Sequence, residues 1–174
     1  DLTATILDLA GVEHPGEYPP SGRSLRNLLE SEKEGVVDPG RTGVYSARER
    51  HSSSRYNNLS YPQRSLRTAQ YLYVRNFRPQ LWPAGTPQRF DKPGQLGPMH
   101  GAYHDIDGSP SLTYLVEHRD DPQVSRYFHL AVDKRPAEEF FDIQADPACL
   151  NNLVNDPAHA AAFREHRERL ESYL

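Results

Sequence analysis

One cysteine, Cys149, is all that 174 residues contain, so an internal disulfide framework is excluded. The compartment stays open, because exported bacterial proteins often lack disulfides too. Hydrophobic residues make up only 36 % of the chain and mean hydropathy is −0.79. No apolar run reaches the ~20 residues that a membrane-spanning helix needs, and no basic-then-apolar leader opens the sequence. An excess of one charge is lacking as well: 20 Lys and Arg against 24 Asp and Glu leave a formal net charge of −4. Nothing in that balance favours nucleic acid or an anionic membrane, and neither is expected as a partner. P-loop, GxGxxG, GxSxG and HExxH patterns are all missing, which removes the sequence basis for nucleotide binding, for a serine nucleophile on an elbow and for a zincin site.

What is present is aromatic bulk and irregular backbone. Ten Tyr, six Phe and one Trp supply a core, while 15 Pro and 11 Gly imply long loops. A chain of this length has room for one main core and buries ~70 % of the surface its unfolded form exposes. Residues 1–10 place Leu2, Ile6 and Leu9 on one helical face, with Gly11 where a left-handed cap is wanted. Asp1 already stands at the start of that pattern, so the chain reads as a piece of something longer. Ser24 to Leu29 offers a short helix with Leu25, Leu28 and Leu29 inward. TGVYSA (42–47) alternates as a strand, and Arg64 to Phe77 reads as a hairpin turning at Ala69-Gln70. Residues 78–108 are Pro- and Gly-rich without periodicity. Helices are expected from Ser109 and from Asp121, the latter capped by Asp121 with Pro122 at its first position. EEFFDI (138–143) is a further strand, and Asp156-Pro157 starts a final helix with Phe163, Leu170, Tyr173 and Leu174 on one face. The resulting fold class is α+β: a small antiparallel sheet of about four strands packed by a long C-terminal helix, with loop-rich N-terminal and middle segments. Residues 1–41 read as the tail of a preceding main domain with a connecting segment, and 42–174 as a C-terminal subdomain.

The densest polar cluster runs from Arg48 through Glu49, Arg50 and His51 to Arg55, with Tyr61 and Arg64 beyond. Fork-shaped guanidinium groups at a strand end suit a sulfate or phosphate. The plainer reading is a solvated strand end whose charges neutralise one another, Arg48 with Glu49 for example. A second cluster, His100, His104, Asp105 and Asp107, has ligand types that suit a transition metal, but Asp107-Gly108 is also an ordinary turn pair, and no metal site is expected in this chain. Cys149 in DPACLNNL has no local histidine and reads as an incidental thiol. Trp82 offers either a stacking surface for a sugar ring or a loop anchor.

Four segments in order carry a family resemblance: DLTATILDLAGVEHP with GRSLRNLL; VYSARERHSSSRYNNLSYPQRSLRTAQYLYVRNFRPQLWPAG; DIDGSPSLTYLVEH; and KRPAEEFFDIQADPACLNNLVNDP. Together they resemble the C-terminal region of sulfatases, in the alkaline-phosphatase-like superfamily, and are most similar to the heparan N-sulfatase branch. Phe140-Phe141 stands where the family pattern has Leu-Tyr. The resemblance implies a parent enzyme hydrolysing sulfate esters or sulfamates, with calcium and a formylglycine made from Cys or Ser in a Cys/Ser-x-Pro/Ala-x-Arg motif. That motif is not in this chain, and Cys149, followed by Leu150 and Asn151, does not fit it. The chain is therefore expected to hold no catalytic residue and no cofactor, and to be inactive alone. It would contribute fold support and part of the substrate-pocket rim through His51 and Arg64, with Arg48, Arg50 and Arg55. Its implied partners are the missing N-terminal sulfatase domain and the sulfated substrate. Leu2, Ile6, Leu9 and Leu25 would be exposed in isolation, which predicts a homodimer, for instance a swapped one. Periplasmic or secreted location is a family expectation for the parent. The rival readings are a non-catalytic sulfated-glycan or anion-binding module using Arg48, Arg50, Arg55 and Trp82, and a metal-dependent hydrolase built on the His100–Asp107 cluster.

Overall fold

The computed structural model describes residues 1–49, 58–88, 90–97, 103 and 105–174. The chain divides into two compact units, Asp1–Thr42 and Gly43–Leu174.

In the first unit, α1 (Leu2–Ala10) stops at Gly11, whose φ of 65° is the left-handed conformation that glycine adopts without strain. There the amides of Gly11 and Val12 return to the carbonyls of Asp8 and Leu7. The helix lies against the rest of its unit by its polar side. Thr5 is buried, its Oγ1 donating to the Asp1 carbonyl at 2.8 Å and accepting from the Leu25 amide at 2.9 Å. Asp1 accepts from the Arg23 amide and pairs with Arg41, each at 2.8 Å, and Ser24 donates to Asp8. The apolar side faces away, with Leu2, Ile6 and Leu9 exposed to 73, 65 and 50 %. α2 (Arg26–Leu29) half-buries Leu25 and Leu28 next to this polar seam. Leu29, expected inward, is instead exposed, because a single turn of helix has only one side to bury.

The second unit is built on a four-stranded antiparallel sheet of order β1 (Val44–Arg48), β2 (Gln63–Arg67), β3 (Tyr71–Asn76) and β6 (Glu138–Asp142). The register sets Tyr45 opposite Leu66, Leu66 opposite Tyr73 and Tyr73 opposite Phe140. These four share one face, because side chains alternate along a strand. α5 (Ala160–Tyr173) covers that face with Leu170 and Phe163. Tyr45 and Tyr173 stack at 3.9 Å, while Arg75 to Glu171 at 2.5 Å and Arg167 to Glu138 at 3.6 Å tie the helix to the strands. His166 is the buried polar residue of this layer, bonded to the Ala162 carbonyl and to Thr68 Oγ1. The outer edge of β6 is closed by the chain itself: Leu153 N donates to Phe140 O, and the Asn152 side chain bonds Phe140 N and Glu138 O.

A second apolar cluster holds the middle of the chain. Tyr103, Ala84, Leu112 and Val116 pack with Phe128 and Val132, and Trp82 and Ile106 lean on them. They come from α3 (Pro110–Glu117), α4 (Ser125–Val132) and the preceding loops. Ser109 caps α3 by accepting from the Leu112 amide. The helix expected from Asp121 starts later, at Ser125: Asp121 Oδ1 accepts from Gln123 N, but this closes a turn before the helix rather than its first turn. The segment read as featureless contains a small hairpin, β4 (Phe90–Lys92) with β5 (Gln95–Leu96), turning through Gly94 at φ 76°. Strands of three and two residues are too short to write an alternation into the sequence.

Candidate functional site

Beneath the sheet, on the side away from α5, lies a hollow of about 600 Å³. Its floor follows from the register: Ser46 opposite Ser65, Ser65 opposite Val74, and Leu72 opposite Phe141. Arg48 lines it at the end of β1, and Arg135, Leu130, Cys149 and Leu150 line it from outside the sheet. The hydroxyls of Ser46 and Ser65 meet at 2.6 Å. The floor carries Leu72, Val74 and Phe141 with the Glu139 carboxylate of β6 beside them, and the paired serines lie toward β1, where a half-exposed guanidinium stands.

Of the residues singled out from the sequence, Arg48 and Arg64 lie among those described, whereas Arg50, His51 and Arg55 lie outside them. Arg48 and Arg64 do not point to one side. Ala47 is directly opposite Arg64 and Gln63 directly opposite Arg48, so alternation places the two arginines on opposite sheet faces. Arg48 does not neutralise Glu49. Its Nη2 lies 3.5 Å from Oδ2 of Asp105, and Glu49 pairs instead with Arg64 at 2.5 Å. Buried Tyr61 donates its amide to Glu49 O at 2.7 Å, and Phe77 N donates to Pro62 O at 3.1 Å.

Arg135 is a residue sequence reading missed. It donates to the Leu130 carbonyl, satisfying a helix-end acceptor of α4, which makes it a structural cap at the hollow's wall. Cys149 has a φ of 54° and its thiol is pushed above the usual range, first by burial and then by Asp146, so it is a poor source of thiolate. Trp82 leans on the second cluster, with Lys134 Nζ 5.4 Å from its ring centre. That is the loop-anchor arrangement. From the second histidine-aspartate cluster, His100 and His104 lie outside the described residues, and Asp105 is spoken for by Arg48. Among the described residues no three His, Cys, Asp or Glu side chains converge as a metal would require. No helix among them is long and apolar enough to cross a membrane.

No protein-family model matches the chain. Two ulvan-active sulfatases of Formosa agariphila do match it: one at 25 % identity across 100 % of this chain and 24 % of its own length, the other at 24 % identity across 90 % and 24 %. Among solved structures, a 2-O GAG sulfatase superposes with a TM-score of 0.50 at 22 % identity, covering 99 % of this chain and 23 % of that one. The chain resembles the C-terminal region of a sulfatase. A further structure, solved in complex with its substrate D-glucosamine-2-N,6-O-disulfate, gives a TM-score of 0.51 at 20 % identity, with the same coverage of 99 and 23 %. The sulfatase-like chain therefore spans about a quarter of the length of the curated relatives it matches. The chain's own fold is α+β, a four-stranded antiparallel sheet with a C-terminal helix.

Proposed function

We propose that this chain is the C-terminal part of a larger hydrolase of sulfate esters or sulfamates, in which it supports the fold and forms one side of the substrate pocket. The observation that carries the reading is the match of the whole chain to one quarter of an ulvan-active sulfatase. The inverted helix α1 supports it. A helix that turns Thr5 and Asp8 inward and Leu2, Ile6 and Leu9 outward lacks a cover for its apolar side. The remaining three quarters of the relatives' length is the occupant that would supply one, as the missing N-terminal sulfatase domain.

In this reading the rim starts at Arg48 and continues through Arg50, His51 and Arg55. Arg64 holds the entry to that segment through Glu49. Guanidinium and imidazole groups would hold a substrate sulfate by charge-assisted hydrogen bonds, which are shorter and stronger than neutral ones. Calcium and the formylglycine nucleophile belong to the N-terminal part.

Sulfate release by the full-length protein that carries this chain tests the proposal. His51→Ala is expected to lower kcat/KM at least ~10-fold, the size of one lost charge-assisted contact. An unchanged kcat/KM in a variant with wild-type melting temperature would count against the rim.

A further inference from the structure

Resting on the rim reading above, we propose that Asp105 is a positioning residue: it holds the Arg48 guanidinium at the mouth of the hollow so that the remaining N–H donors are ready for a sulfate group. The two ends of this pair are unlike. The Asp105 side chain is 2 % exposed, whereas that of Arg48 is 50 % exposed, and Oδ2 of one lies 3.5 Å from Nη2 of the other. A carboxylate that far from water needs a cation beside it. The Arg48 side chain, by contrast, is half exposed and lines the hollow.

The acid sits on a pinned loop. Asp105 N donates to Ala84 O at 3.2 Å, Ile106 N to Tyr103 O at 2.9 Å and Tyr103 N to Thr86 O at 3.3 Å. Tyr103 is buried in the cluster of Leu112, Val116 and Phe128. Arg48, for its part, is the last residue of β1, next to Glu49, whose carbonyl takes the Tyr61 amide. A long side chain left to itself samples many rotamers, and ordering it on binding weakens affinity. The ion pair through one terminal nitrogen, at 3.5 Å and without a hydrogen bond, restrains the guanidinium by charge attraction and leaves its five-donor fork unspent. Asp105 touches no substrate in this arrangement; it acts through Arg48.

The test is a double-variant cycle on sulfate release by the full-length protein, read as KM and kcat separately. R48A is expected to raise KM ~10-fold with kcat little changed. D105N is expected to raise KM several-fold, and R48A/D105N to be no worse than R48A alone. D105E keeps the buried charge but displaces it, so its KM should fall between wild type and D105N. KM does not depend on the folded fraction of enzyme, so a purely structural loss would lower the rate and leave KM in place. If D105N does not accumulate, D105E decides. Wild-type KM in the acid variants alongside a raised KM in R48A overturns the positioning role and leaves the rim standing. Additive KM effects in the double variant overturn it too. Wild-type KM in R48A overturns both, since nothing would be left to position.

Discussion

Tyr73 is fully buried yet carries a hydroxyl, and that hydroxyl donates to Glu138 Oε1 at 2.6 Å. Burial first, and the neighbouring Glu138 second, hold its phenol above the usual range. A group whose folded value is raised stabilises the fold fully below its unfolded value, here about 10, and loses that contribution as pH climbs beyond it. Urea unfolding between about pH 9 and 11 should therefore show wild-type stability falling, while Tyr73→Phe stays flatter. At neutral pH the same substitution is expected to cost about 1–2 kcal/mol for the lost hydrogen bond to a carboxylate. Glu171 runs the other way. A hydrogen bond from Arg167, followed by one from Arg75, lowers its carboxyl below the ordinary range. Its contribution is present above about pH 4 and lost as pH falls further, and it should shrink in 1 M salt because the group is exposed. A melting-temperature series on Glu171→Gln at low and high salt checks both points. At this scale Arg48 was legible in the sequence, since a basic residue ending a strand is visible there. The face taken by Arg64 was not. It depends on a register in which one residue of slip would send every side chain to the other side. The pairing of Asp105 with Arg48 was not legible, because the two lie far apart in sequence.

Two Asp-Pro pairs show what an element does and does not announce. Asp156 Oδ1 accepts from Ala158 N at 2.9 Å, opening the short 3₁₀ turn Pro157–His159 that leads into α5. Asp121 makes the same bond to Gln123, and a separate turn follows before α4. The cap chemistry is local and readable; where the helix axis begins is decided by packing, here by buried Val124. Asp156→Ala is expected to cost about 1 kcal/mol, measured by chemical denaturation. Leu170→Ala, at the centre of the face that α5 presents to Leu66, Tyr73 and Phe140, should cost about 2–5 kcal/mol. The hairpin β2–β3 and strand β6 were legible from aromatic and β-branched runs. The hairpin β4–β5 was not, being short and exposed.

For the whole molecule, the apolar outer side of α1 separates the account from that of an independent binding module. Alone in solution the chain should self-associate with rising concentration by light scattering, and Ile6→Glu should return it toward monomer. The full-length protein should show no such dependence on Ile6. Neither the composition nor the candidate site indicated sulfate chemistry by itself; the order of the four motifs did, and the likeness to ulvan-active sulfatases along the whole chain agrees with it. The proposed role requires a larger sulfatase whose nucleophile lies upstream of this chain. Mass spectrometry of the full-length protein, digested across its Cys/Ser-x-Pro/Ala-x-Arg motif, tests that most directly. The account predicts formylglycine at the first position of that motif; an unmodified residue there, or an upstream sequence without the motif, would contradict it.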